Sequence, residues 1–440
     1  MTENPRVEIK GSRRSGLWLA TLGFFGGFAG VAVFGPLVPE FVDVLGLTPL
    51  QAGMLAGIPN LTGSLLRIPF GAMVDRTGGR LPLLTLLVVT LVGMAGLLLL
   101  LWTSYPDNME GTYPLLLLLG VLIGSGIAIF SVGIAQVSYW FPAREQGGPL
   151  GVYAGLGNTA PSLSSLLLPM ALASLSMLTA YGLWFIVLLL ITIAYAIWMR
   201  DAPWFQLRKA GRQDVGKEEL ASYGQDLVPT GSLTRGLKHA AKLPTTWALV
   251  LFYFISFGGF LALTAWLPTY WNGAYDATLA TGGMLTFAFA LLTALIRVPG
   301  GLLSDRISIR YALFGNFLLI GAGTVVVALH AGYWISFAAT MAIAAGMGLQ
   351  NAIVFKLLPF YVPDAVGGAA GWVGGLGALA GFVVPPVMGA VTEAVGGPDG
   401  YARSFLVLTA LVIVGLVGVG WLTRWTWRSE LAPALERTGR

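Results

Sequence analysis

Apolar stretches of about twenty residues or more, separated by short polar turns, run along most of the chain, and about twenty is the length an α-helix needs to cross a hydrocarbon core roughly 30 Å thick. Twelve such stretches are predicted as membrane-spanning helices, at about 15–37, 48–74, 81–103, 113–141, 148–174, 179–200, 246–270, 278–304, 310–330, 333–358, 366–392 and 403–425. Several contain glycine and proline, which membrane helices tolerate because neighbouring groups re-satisfy the freed backbone. The expected class is an all-α membrane protein.

One polar stretch is much longer than the rest. Residues 201–244 hold Lys209, Arg212, Lys217, Glu218, Glu219 and Lys238, and they separate six spans from six spans. This stretch reads as a solvated cytoplasmic linker with one short amphipathic helix, or else as a regulatory or partner site. On either side the pattern repeats. Phe25-Gly26-Gly27-Phe28 in the first span returns as Phe257-Gly258-Gly259-Phe260 in the seventh, each followed by a proline, Pro36 and Pro268. Gly124 and Gly126 in span four answer to Gly346 and Gly348 in span ten, and Gly155-Leu156-Gly157 in span five to Gly375-Leu376-Gly377 in span eleven. Parallel repeats of this kind imply two six-helix bundles about an axis normal to the membrane, with a site between them near the midplane. The expected organisation is a bundle over 1–200, a linker over 201–244 and a second bundle over 245–440.

Composition agrees with the pattern. Hydrophobic residues make up 56% of the 440 and charged residues 10%, against about 25% charged in soluble domains. No cleavable signal sequence precedes the first span. The 25 basic residues are strongly sided: Arg67, Arg297 and Lys356 fall inside spans, Arg403 on one face, and the others, including Arg76, Arg80, Arg144, Arg306 and Arg310, in the tails and loops of the opposite face. By the positive-inside rule both termini are cytoplasmic. The net charge of +5 expresses that bias and calls for no nucleic-acid partner. Cysteine is absent, and the two histidines, His239 and His330, lie in or beside loops; no metal site, cofactor or catalytic constellation is expected.

The strongest chemical signal is a string written twice as R-x-P-x-G-x-x-x-D-R, from Arg67 to Arg76 and from Arg297 to Arg306. From Arg67 to Asp75 is about 12 Å of helix at 1.5 Å per residue, which puts Arg67 near the middle of the membrane, and Arg297 stands at the same depth. An intramembrane arginine is costly. Snorkelling over that distance is a long reach, and no span interior offers Asp or Glu for a structural salt bridge. Two guanidinium groups facing a central cavity make an anion site, and their planar forks suit a small planar oxyanion. Asn158, Tyr253 and Asn351 are candidate donors, with helix–helix bridging as the alternative role, and Phe130 can cover the anion. Lys356 either snorkels, lures the anion, or carries a proton through a shifted pKa. Gly71, Asp75 and Arg76, with Gly301, Asp305 and Arg306, read as a gating latch in which the carboxylate meets a basic group or helix N-terminus of a neighbouring helix when the cytoplasmic side is shut. Gly151 with Gly155, and Gly377 with Gly381, read as close-packing seams that also permit rocking, with Gly157 and Gly375 beside them.

With these spans, the central loop and the string from Gly71 to Arg80, the chain resembles the major facilitator superfamily over essentially its full length. It is similar in particular to the nitrate/nitrite porter branch. The arginines of spans two and eight match that branch, as do the glycine-rich signatures Ala154 to Asn158 and Gly374 to Gly377 and the span-ten stretch from Asn351 to Pro359. By position, Tyr253 and Phe130 match its site tyrosine and covering phenylalanine. Gln136 stands where the branch is expected to have asparagine, and Thr159-Ala160-Pro161 follows Asn158 in place of another glycine. The resemblance implies the major facilitator fold and a monomeric multi-pass carrier of nitrate, nitrite or both in the cytoplasmic membrane, in contact with lipid. Exchange is the expected mode, because an anion would offset two fixed charges during reorientation and because the carboxylates usual in proton carriers are missing from the spans. Proton-coupled nitrate symport, carriage of another small organic anion and a non-transporting nitrate sensor are the alternatives; an enzyme is not expected.

Overall fold

In the computed structural model, which describes residues 8–142, 145–212, 215–229, 233–297, 300, 308–362 and 365–427, regular structure among the described residues is entirely helical. An N-terminal set comprises α1 (Arg13–Phe28), α2 (Val38–Leu45), α3 (Pro49–Leu65), α4 (Arg67–Thr77), α5 (Arg80–Ser104), α6 (Tyr113–Gly124), α7 (Ile129–Trp140), α8 (Gly147–Gly157), α9 (Ala160–Ser174) and α10 (Met177–Trp198). Three short helices follow, α11 (Pro203–Lys209), α12 (Lys217–Ser222) and α13 (Leu233–Ala241). The C-terminal set comprises α14 (Pro244–Tyr253), α15 (Gly259–Tyr275), α16 (Leu279–Leu295), α17 (Ile309–Ala328), α18 (Tyr333–Tyr361), α19 (Val366–Leu376), α20 (Ala380–Val395), α21 (Gly397–Arg403) and α22 (Leu406–Trp427).

Nine helical runs among the described residues are long and apolar enough to cross a membrane. The remaining expected spans coincide with shorter pieces: α3 with α4, α8 with α9, and α16, beyond which residues 298, 299 and 301–307 are not described. Proline explains both internal breaks, since it has no N–H to give to the carbonyl four residues back. Pro161 cannot serve Gly157, where α8 stops, and Pro69 cannot serve Leu65, where α3 stops. Large apolar side chains such as Trp102, Leu190 and Val417 point outward, as they must where the solvent is lipid.

The two sets meet along two seams. The broader runs α3 against α20, and the other α9 against α16, with Ala265 of α15 also pressed on Gly35. Near its Pro49 end the first seam is backbone against backbone: Gly53 lies on Pro385 and Pro386, and Gly389 on Pro49 and Leu50.

Residues 201–244 are not the solvated linker with one short helix that polarity suggests. Ala202 and Phe205 are buried against Trp140. Gln206 exchanges hydrogen bonds with the backbone of Lys10 at 2.9 and 2.8 Å. On the other side α13 packs along α19, and Trp372 Nε1 donates to the Leu237 carbonyl at 3.0 Å. The segment is amphipathic by parts, each short helix hiding an apolar face that a whole-stretch count of charges conceals.

Asp201, at the head of this segment, is nearly buried and accepts the Arg80 backbone N–H at 2.9 Å while pairing with Lys209 Nζ at 2.7 Å. It thereby caps the loop between α4 and α5. Asp201→Ala should destabilise the protein by about 1–2 kcal/mol, the usual loss for a cap, read as a lower melting temperature in detergent, while Asp201→Asn should keep most of the stability.

Candidate functional site

The site begins at the proline bend. Leu66 closes α3 on the Thr62 carbonyl and Arg67 opens α4, so the arginine side chain leaves the helix where the backbone turns. The second copy is built alike: Ile296 N–H bonds to Leu292 and Gly300 N–H to Ile296, with Arg297 between them. Its proline, Pro299, lies outside the described residues. A third irregularity faces both. Residues Phe254–Gly258 form a single π-helical turn, a form that often marks functional positions. It brings Tyr253 and Phe257 into a near-parallel stack with ring centroids 4.8 Å apart.

Phe257 is the hub. The Arg67 guanidinium carbon lies 5.2 Å from its ring centroid and that of Arg297 lies 5.4 Å away. Arg67 also sits 5.1 Å from the Phe130 ring. Cation–π contact of this kind holds a guanidinium without neutralising it. Phe28 and Phe130 stack on Phe257 at 6.5 and 6.3 Å, so an aromatic layer joins the two sets above the cations. Tyr253 lies within electrostatic reach of both arginines, and the arginines within reach of each other.

Arg67 is 1% exposed. One of its N–H groups donates to the Gly374 carbonyl of α19 at 2.9 Å, and its Nε and Nη2 have no partner among the described residues. No carboxylate pairs with it there; the described ion pairs all lie elsewhere. Both side-chain amide atoms of Asn351 are likewise buried without a partner among the described residues, and the Tyr253 hydroxyl is buried within hydrogen-bonding reach of Arg297. Unmade hydrogen bonds of buried groups cost about 1–3 kcal/mol each. Two of them belong to Arg67 itself, which makes its surroundings complementary to a small acceptor-rich anion.

A cavity of about 270 Å³ runs from Arg67 along Gly71 to Asp75 on one wall, with Phe130 and Ser131 of α7, Phe355 of α18 and Gly371 and Gly374 of α19 on the others. It lies between the two sets, toward the end of the molecule that carries the Gly78 to Arg80 loop. The opposite, Pro49 end is the one the glycine seam closes.

The remaining sequence candidates divide. Asn351 lies one helical turn from Phe355, whose ring meets Tyr253 at 5.0 Å. Asn158 turns one amide N–H onto its own helix, at the Ala154 carbonyl, and leaves Oδ1 without a partner; its neighbour Gly157 abuts Phe24, which packs on Phe130 at 5.3 Å. Lys356 is partly buried beside Phe355. Gln136 accepts from Tyr195 at 2.9 Å and packs on Gly79, so this departure from the branch pattern sits at the loop, away from the aromatic hub. Asp75 accepts a hydrogen bond from the Tyr139 hydroxyl at 2.7 Å. Arg76 is exposed, and Gly301, Asp305 and Arg306 lie outside the described residues.

The glycine seams also need correction. Gly375 meets Ile68 and Ser64, Gly377 meets the Tyr253 ring, and Gly381 meets Asn60. Around Gly151 and Gly155, however, no described atom lies within 4 Å of an added Cβ. Space is ample there, so close packing is not what glycine provides at those two positions. Sequence reasoning used Phe257 and Phe28 only as repeat markers. The signal that could have promoted Phe257 is its i, i+4 spacing from Tyr253, which places both rings on one helix face.

Comparison with known proteins comes to the same architecture. A sequence model of the Major Facilitator Superfamily matches residues 17–284. The chain is 31% identical over 430 residues to the "Probable nitrate/nitrite antiporter NarK1" of Thermus thermophilus, covering 91% of this chain and 89% of that one. It is 31% identical over 387 residues to the "Probable nitrate/nitrite transporter NarK2" of Mycobacterium tuberculosis, covering 86% and 89%. The "Nitrite extrusion protein" of Bacillus subtilis is 25% identical over 424 residues, covering 96% and 97%. Among solved structures, the crystal structure of a D-xylose-proton symporter superposes with a TM-score of 0.71 at 15% identity over 95% of this chain and 98% of that one. At that identity the likeness concerns the fold alone.

Proposed function

The chain belongs to the nitrate/nitrite porter family of the major facilitator superfamily, and from that premise we propose that it carries nitrate, nitrite or both across the cytoplasmic membrane by alternating access, as an exchanger. In this reading twelve spans form two six-helix bundles, 1–200 and 245–440, joined by 201–244, with both termini cytoplasmic. The observation that carries it is the buried Arg67 and the half-buried Arg297 sharing the Phe257 ring, with Arg67 and Asn351 keeping donors that have no partner among the described residues. A planar oxyanion would take the free edge of Arg67 and the fork of Arg297, accept from Tyr253 and Asn351, and lie against Phe257 and Phe130. Asn158 then serves from behind the aromatic layer.

The cavity toward Asp75 and the closed seam at Pro49 correspond to an inward-facing arrangement. Reorienting without an anion would leave two like charges uncompensated in a low-dielectric interior, where repulsion is strong. Bound nitrate or nitrite offsets that charge in both directions, which favours exchange. Lys356 is the alternative coupling group in this picture.

Proteoliposomes test the mode. With nitrite inside, labelled nitrate should enter without an imposed proton gradient, at least about tenfold faster than into liposomes loaded with an inert salt, since tenfold corresponds to only 1.4 kcal/mol of barrier. Uptake that requires a proton gradient and ignores internal nitrite would assign symport instead.

A further inference from the structure

One face of α3 changes character along its length. Gly53 and Gly57, near the Pro49 end, lie against the backbone of α20. The next positions on the same face are Asn60, Ser64 and Arg67, spaced by four and three residues, so that they stand one above another. Asn60 and Ser64 are fully buried. Asn60 reaches the Gly381 carbonyl only at 3.4 Å, its Oδ1 has no partner among the described residues, and neither does the Ser64 hydroxyl. Glycine faces Asn60, since a Cβ at Gly381 would lie 2.9 Å from Asn60 Cγ, and Gly375 lies over the backbone of the next turn, where a Cβ would stand 2.9 Å from the Ile68 side chain and 3.4 Å from the Ser64 backbone carbonyl.

A seam that served only to close would not need these side chains. Gly53 and Gly57 close it with none. Buried polar atoms left unpaired are rare and call for an explanation, and here they continue the polar line that starts at Arg67.

We propose that Asn60 and Ser64 form a second anion-binding step between the paired arginines and the Pro49 end, reaching about 10 Å from Arg67 at 1.5 Å per residue. The step opens when α3 and α20 part. Asn60 Nδ2 and the Ser64 hydroxyl then donate to a small oxyanion on its way to or from Arg67, and Gly381 and Gly375 themselves add no side chain to the wall across from α3. This inference rests on the transport reading above.

Sided vesicles provide the test, with labelled nitrate as the probe. Asn60→Asp keeps the shape and places a negative charge on the route, so uptake from the Pro49 face should fall about tenfold or more, as expected for like charges brought together. The KM for nitrate offered from the Asp75 face should stay unchanged, and Asn60→Ala should fall between. Equal losses from both faces, or none, would overturn the step. The chain contains no cysteine, so Ser64→Cys and, as a second position, Asn60→Cys each introduce a single thiol. An impermeant thiol reagent at the Pro49 face should modify it, and nitrate on that side should slow the modification. Lack of reaction in a variant that still transports, or reaction indifferent to nitrate, also overturns the step. Arg67→Lys serves as the control: wild-type nitrate affinity there sinks the transport site itself, whereas lost affinity there with unprotected thiols sinks only the second step.

Discussion

Replacing Arg67 by lysine should weaken nitrate binding and exchange by roughly tenfold to a hundredfold, with the protein still folded and inserted. Lysine keeps the charge and, as a single donor point, can still reach the Gly374 carbonyl that now takes one Arg67 N–H at 2.9 Å. It cannot reproduce the planar fork or its position 5.1–5.2 Å from two rings. A hydrogen bond to a charged group contributes about 1.5–3 kcal/mol, and each 1.4 kcal/mol is tenfold in affinity, which sets the expected range. Nitrate titration of the purified variant, followed by exchange in proteoliposomes, gives both numbers. Arg297→Lys should behave alike, because both cations share Phe257. Unchanged affinity in Arg67→Lys would leave Arg67 as a strut between the two helix sets and remove it from the site.

Gly53→Val should abolish exchange by a different route. A Cβ at Gly53 would stand 2.7 Å from the Pro385 carbonyl carbon and 3.0 Å from the Pro386 Cα. These are backbone atoms of a helix packed on its other sides, so they cannot swing away as a side-chain tip could. Overpacking of this sort costs about 1–3 kcal/mol for added methylene groups alone, and contact with backbone places it at the upper end. Since the strain exists only while α3 and α20 are in contact, it shifts the population toward the arrangement in which the Pro49 end is open. Exchange should drop below about a tenth of wild type, a shift that needs only 1.4 kcal/mol. The thiol of Ser64→Cys, placed in the same variant, should become more reactive from that face. Wild-type exchange in Gly53→Val would show that the seam does not have to close during transport.

These two variants also mark the line between what is local in the chain and what is not. Arg67 and Arg297 stand out in the sequence because hydropathy and charge are one-dimensional properties. A cation in the middle of an apolar run is visible without any fold, and a second one at the same offset from an Asp-Arg pair identifies its twin. Tyr253 and Phe130 were legible with them, through their positions in the family pattern. Gly53 could not be singled out in this way, because its role depends on Pro385, more than three hundred positions away in the chain.

The same reasoning accounts for the misreadings. Gly155 and Gly375 hold the same place in matching motifs, yet a Cβ at Gly375 would lie 2.9 Å from the Ile68 side chain while Gly155 has open space beside it. Repetition fixes spacing along a helix but not the neighbour each face receives. Residues 201–244 carry enough charge to read as solvated, yet Asp201, Ala202 and Phe205 are buried, because burial depends on a receiving surface that composition does not describe. Membrane class, apolar helices and paired arginines are written in the order of residues alone, because they follow from the local cost of placing charge in hydrocarbon. That both cations share Phe257, that Gly374 takes one arginine N–H, and that the Pro49 end is the closed one came from the folded chain, since each is a contact between surfaces brought together by packing.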